Sequence, residues 1–148
     1  MLRLATVKRF EELDIWQASR SLANRIYDVT GQQRLKADRD LCSQMQRASV
    51  SIMSNIAEGF ERGTNKEFIR YLIIFRGSAG EVRSQLYIAL DREYITVESF
   101  NEMNGDCLRL SRQIASFIAY LRGAERTGQV LREERSVYME DSEQSEDM

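Results

Sequence analysis

At 148 residues the chain is long enough for one domain whose core needs neither disulfides nor metal to hold it. It has no proline, which favours uninterrupted helices, and no histidine, which removes the commonest general base, Ser-His and Cys-His nucleophile activation and most zinc chemistry. The formal net charge of −2 hides an asymmetry: residues 1–132 have 20 Lys+Arg against 16 Asp+Glu, or +4, and residues 133–148 have one Arg against seven acids, or −6.

Residues 1–11 form a lead-in in which Met1 to Val7 are too few for a secretory apolar region, and charges interrupt every later apolar run. A cytoplasmic protein with no membrane span is expected. A first helix is predicted from about Glu12 to Val29, with Ile15, Leu22, Ile26 and Val29 on one stripe and Trp16, Ala23 and Tyr27 beside it. Gly31 ends it, and residues 31–37 read as a polar connection. Asp38 then caps a second helix presenting Leu41, Met45, Ala48, Ile52 and Ile56 and stopping at Gly59.

Thr64-Asn65-Lys66-Glu67 has the form of a capping box and opens a third helix. One face of that helix holds Phe68, Tyr71, Leu72, Phe75, Ala79, Val82, Leu86, Ala89 and Leu90, enough for a bundle core. The opposite face is not charged but holds Ile69, Ile73, Gly77, Gly80, Ser84 and Ile88, broken mainly by Arg70. A helix apolar or small nearly all round is an element buried on both sides. One four-helix bundle cannot cover both faces, so the second face predicts self-association.

The fourth helix begins after Thr96 and runs to about Arg122, with Phe100, Met103, Cys107, Leu110, Ile114, Phe117 and Leu121 in an unbroken 3-4 rhythm. Beyond it, residues 123–148 form an acidic tail with little core-forming capacity beyond Val137, Tyr138 and Met139, expected to be disordered. The bundle thus spans 12–122. Cys42 and Cys107 lack CxxC or Cys/His spacing and read as buried small hydrophobes.

Small and polar residues sit inside the apolar runs at two places, Ser51-Ile52-Met53-Ser54-Asn55-Ile56-Ala57-Glu58-Gly59 and Gly77-Ser78-Ala79-Gly80-Glu81. A half-buried Asn55 or Glu58 must find partners, either neighbouring backbone and Arg62, which would fix the turn into the third helix, or a ligand in a groove. Gly77 to Gly80 lack the spacing, strand and lysine of a phosphate loop and fit close helix approach better. Glu58 and Glu81 suggest a carboxylate-bridged metal pair, but such bundles also need Glu-x-x-His ligands. No metal and no cofactor are expected.

Arg62, Lys66 and Arg70 are spaced four apart where the third helix opens, and the helix dipole there attracts anions. Arg109, Arg112 and Arg122 form a more diffuse set on the fourth helix. Arginine outnumbers lysine 18 to 3 and suits bidentate phosphate contact, although a GC-rich genome produces the same bias. The plainer reading is that these charges are solvated or paired with Glu61 and Glu67.

Together with Phe10-Glu11-Glu12-Leu13-Asp14-Ile15-Trp16-Gln17, the two small-polar stretches resemble the signature of the four-helix-bundle proteins encoded within intervening sequences of bacterial 23S ribosomal RNA genes, over roughly residues 10 to 122. Met53 stands where that signature usually has proline, so a helix kink there is not expected. In the resemblance Ser51, Ser54, Asn55, Glu58, Gly59, Gly77, Ser78 and Glu81 are structural motif positions. The resemblance implies a pentameric ring and nucleic-acid-related partners, and a fold similar to the accessory subunit of diversity-generating retroelements, which binds a reverse transcriptase and RNA.

The combined expectation is an all-α, antiparallel up-down four-helix bundle forming a ring-like homo-oligomer through Ile69, Ile73, Gly77, Gly80, Ser84 and Ile88. Its expected role is that of a non-enzymatic RNA-associated accessory or ribonucleoprotein-assembly module contacting RNA through Arg62, Lys66, Arg70, Arg109 and Arg112. The alternative is a scaffold that recruits another protein, such as a reverse transcriptase, without binding RNA. An enzyme has no residue constellation to support it.

Overall fold

The computed structural model describes residues 7–126, which form five α-helices and one 3-10 turn with no strand among them: α1 (Asp14–Thr30), α2 (Gln33–Ala37), α3 (Arg39–Glu61), α4 (Asn65–Asp91) and α5 (Val97–Arg126). The four long helices close a cycle of packing, α1 against α3 and α5, and α4 against α3 and α5. Along α4 the partners on α5 descend in number, from Phe68–Phe117 through Arg76–Ser111 and Arg83–Asn104 to Tyr87–Phe100, so these two helices run in opposite directions.

Several boundaries differ from the sequence expectation, each for a local reason. Residues Phe10–Glu12 form the 3-10 turn rather than entering α1, because Leu13 is extended (φ −73°, ψ 126°) and turns its side chain into the core. Residues 31–37 are not simply a polar connection. Leu35 is fully buried, and drawing it inward winds Gln33–Ala37 into α2, whose Leu35 carbonyl accepts a bond from the Cys42 thiol at 3.0 Å.

Gly59 does not stop the second predicted helix. It is buried within α3, and a Cβ there would stand 2.8 Å from Tyr71 Cβ and 3.0 Å from Phe68 Cδ2, so glycine lets α4 approach. The turn is made instead by Gly63 at φ 82°, a left-handed conformation that glycine adopts without steric cost. Leaving α4, Glu93 takes φ 57°, with Glu93 N–H bonded to Leu90 O and Tyr94 N–H to Ala89 O, a Schellman ending without the usual glycine. Finally α5 passes Gly123 and continues to Arg126, so the bundle extends beyond the expected limit at 122. The rest of the acidic tail, residues 127–148, lies outside the described residues, as do residues 1–6.

The expected caps form. Asp38 accepts from Leu41 N–H at 3.2 Å, Thr64 from Glu67 N–H at 3.2 Å and Thr96 from Ser99 N–H at 3.1 Å, each satisfying a donor that the first helical turn leaves open. The core takes most of the predicted stripes and adds Leu35, Ile69, Ile95 and Ile118, whereas Tyr27, expected beside the first stripe, is 51% exposed. Leu22, Ile26, Met45, Ile52, Ile56, Phe68, Leu72, Leu86, Leu110 and Ile114 are all fully buried. Buried hydroxyls close on their own helices, Ser19 onto Ile15 O and Thr30 onto Ile26 O.

Candidate functional site

The small-polar stretch of α3 builds a cluster on the seam with α4. Asn55, half-buried, donates through Nδ2 to Ser51 O at 2.7 Å and to Ser51 Oγ at 3.4 Å. Three residues on, Glu58 accepts from Arg62 at 3.0 Å and from the Tyr71 hydroxyl at 3.0 Å, while the Arg62 guanidinium lies 5.7 Å from the Tyr71 ring centroid. The bond from Arg62, and then that from Tyr71, holds the Glu58 carboxyl below its ordinary range; the same pairing pushes Arg62 up. Glu58 is nevertheless exposed, contrary to the half-buried position expected for it.

The arrangement fixes the α3–α4 turn, with Glu58 joining both helices through Arg62 and Tyr71 and Gly59 leaving room for the Tyr71 side chain. Ser54 is exposed. Gly77 and Glu81 are exposed and Ser78 is half-buried, and among the described residues no hydrogen bond or ion pair joins these three to the α3 cluster.

The candidate phosphate contacts divide in the same way. Arg62 is taken by Glu58 and Tyr71 rather than by Glu61 or Glu67, and Arg109 by Asp106. Lys66 and Arg70 in the first turns of α4 and Arg112 on α5 are exposed and, among the described residues, enter none of the ion pairs. The Phe68–Phe117 ring contact, 5.4 Å between centroids, brings the start of α4 and this stretch of α5 to one end of the molecule.

The second face of α4 is open. Ile73 is 49% and Ile88 50% exposed, with Gly77, Gly80 and Ser84 exposed between them and Ile74 and Tyr87 flanking. Ile69 does not belong to that face, because it is 8% exposed and joins the core of its own chain. A Cβ added at Gly77 or Gly80 would meet nothing within 4 Å, so neither glycine makes room for a helix of the same chain. From Ile73 to Ile88 the strip runs about 22 Å at the helical rise of ~1.5 Å per residue.

A groove of about 360 Å³ between the lead-in and α5 was not foreseen. Val7, Leu13, Ile15, Phe117 and Tyr120 give it apolar walls; Glu12 and Asp14 edge one side and Arg109 and Arg112 the other. Its only sequence signal was the apolar pair Val7 and Leu13 next to a helix start. Both cysteines are buried, and burial, reinforced by Asp106, pushes the Cys107 thiol up to about 12; burial and Asp38 push Cys42 up as well. No helix among the described residues is long and apolar enough to cross a membrane.

Residues 11–116 match the family model described as 23S rRNA-intervening sequence protein. Among solved structures the chain is similar to a protein of unknown function from the S23 ribosomal protein family of Bacteroides thetaiotaomicron VPI-5482, at 25% identity and a TM-score of 0.66, over 71% of this chain and 95% of that one. No curated protein matches.

Proposed function

The chain belongs to the 23S rRNA-intervening sequence protein family, and from that premise we propose that it is a non-enzymatic, RNA-associated assembly module: an antiparallel up-down four-helix bundle that forms a homo-oligomeric ring through the open face of α4. The observation that supports this reading is the strip of Ile73, Gly77, Gly80, Ser84 and Ile88, apolar at its ends and small in its middle, on a helix already buried on its other side. Contiguous exposed apolar surface of this kind marks an interaction site in a water-exposed protein. Small central residues allow a neighbouring helix to approach closely, and a head-to-tail arrangement of such contacts closes into a ring.

RNA is the partner that the exposed Lys66, Arg70 and Arg112 favour. Lys66 and Arg70 lie in the first turns of α4, where open backbone N–H groups and the helix dipole add to their attraction for phosphate. In a ring these groups would repeat around the assembly, multiplying weak contacts. The test is native mass spectrometry together with RNA binding at two salt concentrations. The proposal expects several subunits, five in a pentameric ring, and an affinity that falls steeply with salt and falls further in Lys66→Glu with Arg70→Glu. A monomer overturns the assembly; salt-independent or absent RNA binding overturns the RNA role. The apolar groove beside α5 supports the second reading, a scaffold whose partner is a protein.

A further inference from the structure

The groove between the lead-in and α5 lies apart from both the open face of α4 and the Glu58 cluster, and of the residues lining it only Arg112 enters the RNA reading above. Its walls are apolar, and its two edges have opposite charge, Glu12 and Asp14 against Arg109 and Arg112. At about 360 Å³ it is in the size range of sites that hold a few side chains. The sequence beyond α5 contains one apolar triplet, Val137-Tyr138-Met139, and it too is bracketed by opposite charges, Arg135 before it and Glu140-Asp141 after it.

From this complementarity we infer that the groove is the docking site of the chain's own acidic segment, with Val137, Tyr138 and Met139 against the apolar walls and Glu140 and Asp141 toward Arg112. Arg109 is partly satisfied by Asp106, so Arg112 is the edge cation with the larger capacity for a new carboxylate. Reach is ample. From Arg126 back along α5 to Gln113 is about 20 Å at the helical rise of ~1.5 Å per residue, whereas residues 127–137 in extended form span up to about 36 Å.

Docking would bring the −6 charge of residues 133–148 to the end of the molecule where Lys66 and Arg70 are exposed. A docked segment would therefore occupy an apolar site and at the same time repel RNA phosphate from its neighbours, and a partner able to displace it would switch both surfaces on. The docking geometry stands whether or not RNA is the partner, and the test below does not involve RNA.

The full chain provides a selective probe, because Cys42 and Cys107 are buried thiols pushed above their ordinary range, and a maleimide added near neutral pH labels an introduced Ser136→Cys instead. Benzophenone maleimide at that position, irradiated in the full-length protein, is expected to cross-link within one chain to the peptides containing Leu13 or Gln113 to Tyr120. The yield at those sites is expected to fall several-fold with Val137→Ser plus Tyr138→Ser, and with Arg112→Glu. Neither change touches the core: the first pair lies outside the described fold and Arg112 is exposed. Cross-links spread over the surface, concentrated on Lys66 and Arg70, or found only between chains would overturn the inference. So would groove cross-links that emerge only after residues 1–6 are removed, since the lead-in would then be the occupant.

Discussion

The two faces of α4 are both uncharged stripes at helical spacing and have opposite fates. Phe68, Leu72, Ala79, Val82, Leu86 and Ala89 are closed over by α3 and α5, while Ile73, Gly77, Gly80, Ser84 and Ile88 face outward along a strip just as regular in sequence. Hydrophobic periodicity reports that a face is to be buried but not what buries it. Glycine separates the two situations best: at Gly59, opposite α4, a side chain has no room, whereas at Gly77 and Gly80 it meets open space. Glycine in mid-helix costs about 1 kcal/mol relative to alanine, so two of them on an open face are unexplained by the single chain, and the proposed neighbouring copy would account for them.

The comparison predicts graded effects. Leu72→Ala, on the closed face, is expected to lower the unfolding free energy by about 2–5 kcal/mol through lost burial and a residual cavity, measured by urea denaturation; a midpoint shift as small as that of a surface substitution would break the distinction. Gly59→Ala forces a Cβ against Tyr71 and is expected to cost about 1–3 kcal/mol as the two helices are pushed apart. Gly77→Ala has the opposite sign. The new methyl strains nothing within the chain and raises helix propensity, stabilising the subunit by about 0.5–1 kcal/mol, yet it is expected to weaken association, which a concentration series by sedimentation would register. A gain in stability with association unchanged would remove the small residues from the interface.

The smallest effect belongs to the exposed seam. Because Glu58 is held below its ordinary pKa by Arg62 and Tyr71, its contribution to stability is fully present above the ordinary value of 4.5 and is lost as pH falls through the lowered folded value. Glu58→Gln should therefore lower stability slightly in the neutral region, where the ionised carboxylate contributes, and flatten the loss of stability below about pH 4.5. An unchanged acid limb would mean that the pair is only a surface contact screened by water.

Most of the fold was legible because each long helix has a stripe and three of the four, all but α1, have a capping residue. Asp38, Thr64 and Thr96 all cap as their residue types suggest, and the 3-4 series from Phe100 to Leu121 is buried almost without interruption. The misreadings arose where one residue's tertiary environment outweighed local chemistry. Leu35 alone makes a helix of a polar segment, Gly59 resembles a stop until Tyr71 is placed against it, and Glu93 takes a left-handed turn that no residue preference announces. Ile69 shows the limit of a helical wheel at a face boundary, where a few tens of degrees decide between core and surface. The candidate site was less legible still. Arg62 was readable as a basic residue, but its capture by Glu58 and Tyr71 depends on the packing of two helices, and the groove depends on a lead-in whose own pattern is too short to show a period.

The central claim is that the open strip of α4 is covered by other copies of the chain. Light scattering of the wild-type protein and of Ile73→Glu at the same micromolar concentration, with circular dichroism on both, tests it most directly. The account predicts a wild-type mass several times 17.2 kDa and a variant that dissociates toward 17.2 kDa while keeping its helicity. A wild-type monomer, or a variant whose assembly is undisturbed, would contradict it.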